Sequence, residues 1–71
     1  MKLRDAIKSA RDSSRNGFVG FVERCDDGEW RPFGYVADTF RRVHRETMHR
    51  IGPNESVASV VRRITPAPAG E

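Results

Sequence analysis

GFVGFVERCDDGEWRPFGYV, residues 17–36, is the stretch that decides the fold of this chain. β-branched and aromatic residues on both sides of DDG, residues 26–28, are typical of a β-hairpin. A three-residue loop puts the glycine at the left-handed position of the turn and sets Glu23 opposite Arg31. A two-residue loop would instead set Arg24 opposite Arg31, which is a repulsive pair. We therefore predict the hairpin with the three-residue loop.

Both faces of this hairpin are apolar, so it needs cover on both sides. Alternation along the strands predicts one face with Val19, Phe21, Phe33 and Tyr35, and the other with Phe18, Val22, Trp30 and Val36. Proline cannot donate a hydrogen bond to a neighbouring strand, so Pro32 predicts that the second strand lies at an edge of the sheet.

Three helices are predicted around the hairpin. Residues 2–14 have apolar side chains at helical spacing and end at Asn16-Gly17. Residues 39–51 form a second helix between an Asp38 cap and Gly52-Pro53. Residues 55–64 match the helical template and follow Asn54, a possible cap. The β-branched residues in 56–64 leave open an alternative in which this segment is a third strand of an antiparallel sheet.

The predicted fold class is α+β, in one small domain of residues 1–65 with the order helix, β-hairpin, helix, short helix. Residues 66–71 are rich in Pro, Ala and Gly and are expected to be disordered. A domain of this size has a marginal core, so a partner or a homodimer would add stability.

Several functional classes lack their signatures. We find no phosphate-binding loop, no catalytic motif and no metal-ligand spacing, so no catalytic, cofactor or metal residues are predicted and the protein is expected not to be an enzyme. The single cysteine, Cys25, and the absence of signal-peptide or membrane-spanning patterns predict a cytoplasmic protein.

A partner-binding surface is predicted from arginine and aromatic residues. On a helix of residues 39–51, four basic side chains would form an outward strip, and two more follow on the next helix. Exposed Trp and Tyr are common at the centres of protein interfaces. The predicted partner-binding residues are Arg41, Arg42, Arg45, His49, Arg62, Arg63, Trp30 and Tyr35. Four acids within residues 23–29 predict a separate acidic tip.

Two functions fit this surface. The first is a small protein that docks on a protein or nucleoprotein complex and modulates it, as small inhibitors and regulators from phages and mobile elements do. The second is a basic DNA-binding regulator, in which segments 39–51 and 55–64 resemble a helix-turn-helix pair. Its phosphate contacts would make nucleic-acid binding sensitive to salt and weakly specific.

Overall fold

The hairpin forms in the predicted register. In the computed structural model, which describes residues 1–65, β1 (Val19–Arg24) pairs antiparallel with β2 (Trp30–Tyr35), and Glu23 lies opposite Arg31. Gly28 adopts the left-handed conformation, with φ of 83°. The turn chemistry of the sequence therefore sets the pairing of these strands.

The complete fold is α+β, as predicted. It contains α1 (Leu3–Arg15), β1, β2, α2 (Ala37–Val43), β3 (Met48–Ile51) and α3 (Val57–Ile64). The strand order is β2-β1-β3, and β1 is antiparallel to both neighbours. β2, which contains Pro32, is an edge strand as predicted. The expectation for residues 66–71 lies outside the described residues.

One face of the sheet is covered by α1 and α3. Ala6, Ile7 and Ala10 of α1 are fully buried against Val22 and Ile51, and Val60 of α3 completes this core. The hydroxyl of Ser14 donates to the carbonyl of Ile51, which ties the end of α1 to the sheet. The thin apolar stripe of α1 suffices because its alanines allow the helix to lie close to the strands.

The opposite face carries an aromatic cluster beneath α2. Phe21 is fully buried, and its ring lies 5.1 Å from Phe33, 5.2 Å from Tyr35 and 5.3 Å from Phe40, measured between ring centroids. Met48 is also buried there. We call this side of the molecule the aromatic face; α2 covers it through Phe40, while Phe33 and Tyr35 stay half-buried.

The prediction of one helix over residues 39–51 is wrong in its second half. α2 ends at Val43, and residues 48–51 form β3. Since β1 is buried between two layers, the N–H and C=O groups along both its edges need partners. β2 provides hydrogen-bond partners for one edge of β1, and β3 provides them for the other edge. The free energy of these hydrogen bonds outweighs the local preference for a helix that the spacing of apolar residues in 40–51 indicates. The predicted cap is also replaced, because Val36 and not Asp38 precedes α2.

The last segment, Val57–Ile64, is a helix and not the alternative third strand. The hydroxyl of Ser56, rather than Asn54, caps it by accepting a hydrogen bond from the Ser59 N–H. Because β3 lies between α2 and α3, the helix-turn-helix-like pair of residues 39–51 and 55–64 is not formed.

Glu23 fastens the segment between α2 and β3 to the sheet. Its carboxylate accepts two hydrogen bonds from the Arg45 guanidinium, at 2.9 and 3.1 Å, and one from the Thr47 hydroxyl. These hydrogen bonds, those from Arg45 above all, hold the pKa of Glu23 below its usual range. The stabilisation is therefore fully present above about pH 4.3, the ordinary glutamate pKa. It is lost as the pH falls through the lower pKa of the folded state.

We expect Glu23→Gln to lower the free energy of unfolding at neutral pH by about 1–2 kcal/mol, because charge-assisted hydrogen bonds are replaced by weaker ones. The difference from the wild type should shrink as the pH falls below about 4.3. Urea unfolding at a series of pH values measures this. Asp26→Asn, which removes the same charge from an exposed position, is the control and should leave stability unchanged. An equal loss at pH 3 and pH 7 would contradict this interpretation of Glu23.

Candidate functional site

Three of the predicted partner-binding arginines are engaged within the molecule. Arg41 pairs with Asp38, Arg45 with Glu23, and Arg63 with Glu55. Arg63 also donates to the carbonyl of Arg50. The Arg45 and Arg63 pairs join separate parts of the fold, whereas the Arg41–Asp38 pair is an exposed pair within α2. A partner that uses any of these arginines would have to compete with its existing counter-charge.

The other predicted residues are separated by the sheet. Trp30 and His49 lie on the α1 side, with their ring centroids 5.9 Å apart, and Trp30 packs against the core. Tyr35 belongs to the aromatic face. Arg42 on α2 and Arg62 on α3 are exposed on opposite sides. The predicted set is therefore not one surface, and the strip of Arg41, Arg45 and His49 does not exist because residues 44–51 are not helical.

The predicted acidic tip is also largely neutralised. Asp27 forms an ion pair with Arg31, and Glu29 pairs with the N-terminal amine. With Glu23 paired to Arg45, three of the four acids there have a cationic partner. The tip does not present the free acidic patch that the sequence suggested.

The net charge of the protein instead lies in the layer formed by α1 and α3. Residues 1–15 and 52–65 carry seven basic side chains and three carboxylates, whereas residues 16–51 carry six of each. The charged residues of the layer are Lys2, Arg4, Lys8, Arg11, Arg15, Arg62 and Arg63 with Asp5, Asp12 and Glu55. The α1 and α3 side is thus strongly positive, while the sheet and α2 side is neutral. Such a one-sided field orients encounters with a polyanion.

Four of these cations form a line along α1. Arg4, Lys8, Arg11 and Arg15 are spaced four, three and four residues apart, which places them on one flank of the helix over about 16 Å. We call these four residues the basic row. Within residues 1–65, none of them forms an ion pair with a carboxylate. The acids of α1, Asp5 and Asp12, lie about 80° further around the helix.

The basic row is held by a rigid support. Its helix is anchored by the buried face described above, and the far end of the row is fixed to the segment before α3. The Arg11 guanidinium donates to the carbonyl of Glu55 at 3.3 Å, and that of Arg15 to the carbonyl of Pro53 at 2.9 Å. Neutral carbonyl partners orient these cations without cancelling their charge. The arrangement can hold a line of anionic groups such as phosphates.

The outer edge of β2 is protected against the addition of another strand. The backbone N–H of Cys25 donates to the carbonyl of Glu29, so these two residues form a hydrogen-bonded pair of the antiparallel ladder. Because hydrogen-bonded and non-hydrogen-bonded pairs alternate, the backbone N–H and C=O groups of Trp30, Pro32 and Gly34 point outward. The outward N–H of Trp30 donates to the carbonyl of Met1, and Pro32 has none. A partner therefore finds few free donors along this edge.

The aromatic face is incompletely covered at both ends of α2. Phe40 and Val43 share one side of α2, at i and i+3, and Val36 lies immediately before the helix. Phe40 is buried, but Val36 and Val43 are 54% and 38% exposed. An apolar strip that meets the sheet only at its middle offers contact area to a protein partner.

The sequence contained the signal for the basic row, although none of its four residues is among the predicted partner-binding residues. The spacing of Arg4, Lys8, Arg11 and Arg15 is visible in the first fifteen residues. Its meaning depends on the fold, however, because α1 and α3 must share one layer for their charges to add. The ion pairs of Arg45 with Glu23 and of Arg63 with Glu55 join residues that are distant in the chain or on separate elements. The pair of Arg41 with Asp38 instead joins neighbours on α2.

Comparison with known proteins finds no matching family model, no matching curated protein and no matching solved structure. The helices within residues 1–65 include none that is both long and apolar enough to cross a bilayer. In the same part of the chain, no three His, Cys, Asp or Glu side chains come together as potential metal ligands.

Proposed function

We propose that this protein is a small, cytoplasmic, non-enzymatic binding module that binds the phosphate backbone of nucleic acid through the layer of α1 and α3. The observation that carries the proposal is the basic row, four cations aligned on a supported helix in the layer that holds the net positive charge. Phosphate oxygens are the acceptors that arginine and lysine bind most often in nucleic acids.

Backbone contacts alone predict weak sequence preference. The outward side of α3 offers Ser59 and Arg62, without the Asn or Gln side chains that read adenine. Binding by the basic row would instead depend on the number of phosphates contacted. Such an interaction suits a protein that accompanies many nucleic-acid sequences and not one that selects an operator.

The dependence of affinity on salt tests this function. If each side chain of the basic row neutralises one phosphate, the logarithm of the association constant should fall against the logarithm of salt concentration with a slope of about −3.6. Affinity for a duplex should then drop by about 150-fold between about 50 and 200 mM salt. Fluorescence anisotropy with a labelled duplex measures the slope. A slope near zero, or no binding at the lowest salt concentration, would remove nucleic acid as the partner.

The exposed apolar strip of α2 favours a second candidate function, in which the protein docks on a protein component and modulates it. The two surfaces lie on opposite sides of the sheet, so one molecule could contact the protein and the nucleic acid of a nucleoprotein complex at once. A small regulator or inhibitor of such a complex is the form this function would take.

Paired substitutions separate this docking from nucleic-acid binding. Val36→Asp with Val43→Asp should abolish capture of a protein partner from nuclease-treated lysate, because two charges would be desolvated in an apolar contact. Arg4→Glu with Lys8→Glu should leave that capture intact. Both pairs are at surface positions, and circular dichroism should remain that of the wild type. If the same proteins are captured by the valine variant as by the wild type, α2 is not the docking surface.

A further inference from the structure

The outer edge of β3 differs from the protected edge of β2. Because the backbone of Cys25 faces β2, the alternation along β1 turns the backbone of Val22 towards β3, where it pairs with His49. His49 therefore uses its backbone groups to bind β1. The residues on either side of it, Met48 and Arg50, point their N–H and C=O groups away from the sheet.

Two of these four outward groups have partners and two do not. The N–H of Met48 donates to the carbonyl of Arg45 at 3.0 Å. The C=O of Arg50 accepts a hydrogen bond from the Arg63 guanidinium at 2.9 Å. Between them lie the C=O of Met48 and the N–H of Arg50, and neither forms a hydrogen bond within residues 1–65. This edge therefore offers one backbone acceptor and one backbone donor to a partner.

An open groove of about 510 Å³ runs along this edge, and its volume falls in the range of ligand-binding sites. Residues from both faces of β3 line it, because it follows the edge of the strand. The side chain of His49 is on the α1 side, whereas those of Met48 and Arg50 are on the aromatic face. Met48 is buried, so it contributes its backbone. The other lining residues are Gly52, Glu55 and Arg63.

The unbalanced charge in the groove is that of Arg50. Both Glu55 oxygens accept hydrogen bonds from Arg63, and one of them also accepts the Gly52 N–H at 2.7 Å. These contacts, that of Arg63 first, lower the pKa of Glu55, so it stays ionised at neutral pH and cancels the charge of Arg63. Arg50 is exposed and forms no ion pair within residues 1–65.

A single residue of an extended peptide can satisfy both free backbone groups. In a parallel pair of strands, one residue donates its N–H to the carbonyl of residue i on its neighbour and accepts the N–H of residue i+2. On β3 those two residues are Met48 and Arg50. Pairing cannot extend further without competition, because the next groups are already bound to Arg45 and Arg63. The edge is therefore suited to a short segment and not to a long strand.

We propose that the outer edge of β3 binds a short, extended, acidic segment of a partner protein. One residue of the segment forms the two backbone hydrogen bonds, and the carboxylate of the following residue pairs with Arg50, because residues opposite each other in paired strands share a face. Charge disfavours a second copy of this chain, which has a net charge of +3 and would bring its own Arg50 to the same edge. The inference goes beyond the proposed nucleic-acid function and does not depend on it.

Selection from a displayed library of random heptapeptides on the full chain tests the proposal. Asp or Glu should be enriched at one position of the selected peptides. Arg50→Ala should weaken binding of synthetic copies by about tenfold, the effect of losing one charge-assisted contact. N-methylation of the peptide residue before the acid should weaken binding at least as much, because the Met48 carbonyl loses its donor. Arg42→Ala is the matched control and should bind like the wild type, since Arg42 is an exposed arginine on α2.

Amide hydrogen exchange locates the contact. The Arg50 N–H should exchange rapidly in the free protein and become protected when a selected peptide binds. The N–H of His49, which faces β1, should be protected in both states. An Arg50 amide whose exchange is unchanged by the peptide would contradict binding at this edge.

If no peptide is selected, or if the selected peptides bind Arg50→Ala as tightly as the wild type, the edge does not bind an acidic segment. Light scattering examines the other occupant. A dimer that Arg50→Pro separates into monomers would show that the edge pairs with a second copy, since proline removes the outward N–H and keeps the bonds of β3 to β1. The affinity of Arg50→Ala for a duplex should stay within about twofold of the wild type. Failure of this proposal would thus leave the nucleic-acid function standing.

Discussion

Arg4→Glu combined with Lys8→Glu should reduce the affinity for nucleic acid by at least about a hundredfold at low salt. Each substitution removes an attraction to phosphate and introduces a repulsion, and each of these effects is on the order of 1 kcal/mol at a solvated surface. Both side chains are exposed and neither forms an ion pair within residues 1–65, so the fold should tolerate the change. The slope of affinity against salt should also become shallower by about two.

The control for this variant is Arg41→Glu with Arg42→Glu, which changes the net charge by the same amount on the opposite side of the sheet. These residues belong to the basic segment that the sequence first suggested, so the comparison also tests that hypothesis. We expect the control pair to reduce affinity by less than about fivefold, through long-range repulsion alone. An equal loss in the two variants would show that binding depends on net charge and not on the basic row.

Gly20→Ala should strongly destabilise the domain. A Cβ at position 20 would lie 1.9 Å from the carbonyl oxygen of Ala10 and 2.9 Å from its carbonyl carbon. Both are backbone atoms, so α1 itself would have to move away from the sheet. We expect a loss of about 3 kcal/mol or more, which corresponds to a fall in Tm of about 12–24 °C for a domain of this size. Thermal unfolding followed by circular dichroism measures it.

Gly34 provides a matched comparison on the neighbouring strand. A Cβ there would lie 2.8 Å from both the Cβ and the Oγ of Ser13, which are side-chain atoms. Gly34→Ala should therefore be largely rescued by Ser13→Gly. Ala10→Gly should not rescue Gly20→Ala, because the Ala10 carbonyl remains in place. Rescue of both pairs would mean that the contact between α1 and β1 is looser than the structure indicates.

The sequence predicted the parts of the fold that depend on neighbouring residues. The hairpin register followed from one glycine and two charges, and α1 and α3 followed from apolar spacing. The sequence did not predict where α2 ends. Local spacing favours a helix through residues 40–51, but the buried strand β1 needs hydrogen-bond partners on its second edge. That requirement appears only after the hairpin is covered on both faces.

The candidate site divides in the same way. By itself the sequence determined the charges and their positions on each helix, including the line of Arg4, Lys8, Arg11 and Arg15. Only the tertiary structure decided which charges are available to a partner. Packing α1 and α3 on one face concentrates positive charge there, whereas Arg45 and Arg63 are brought to Glu23 and Glu55 and neutralised. The physical reason is that electrostatic attraction depends on distance in space, and folding brings together charges that are far apart in the chain.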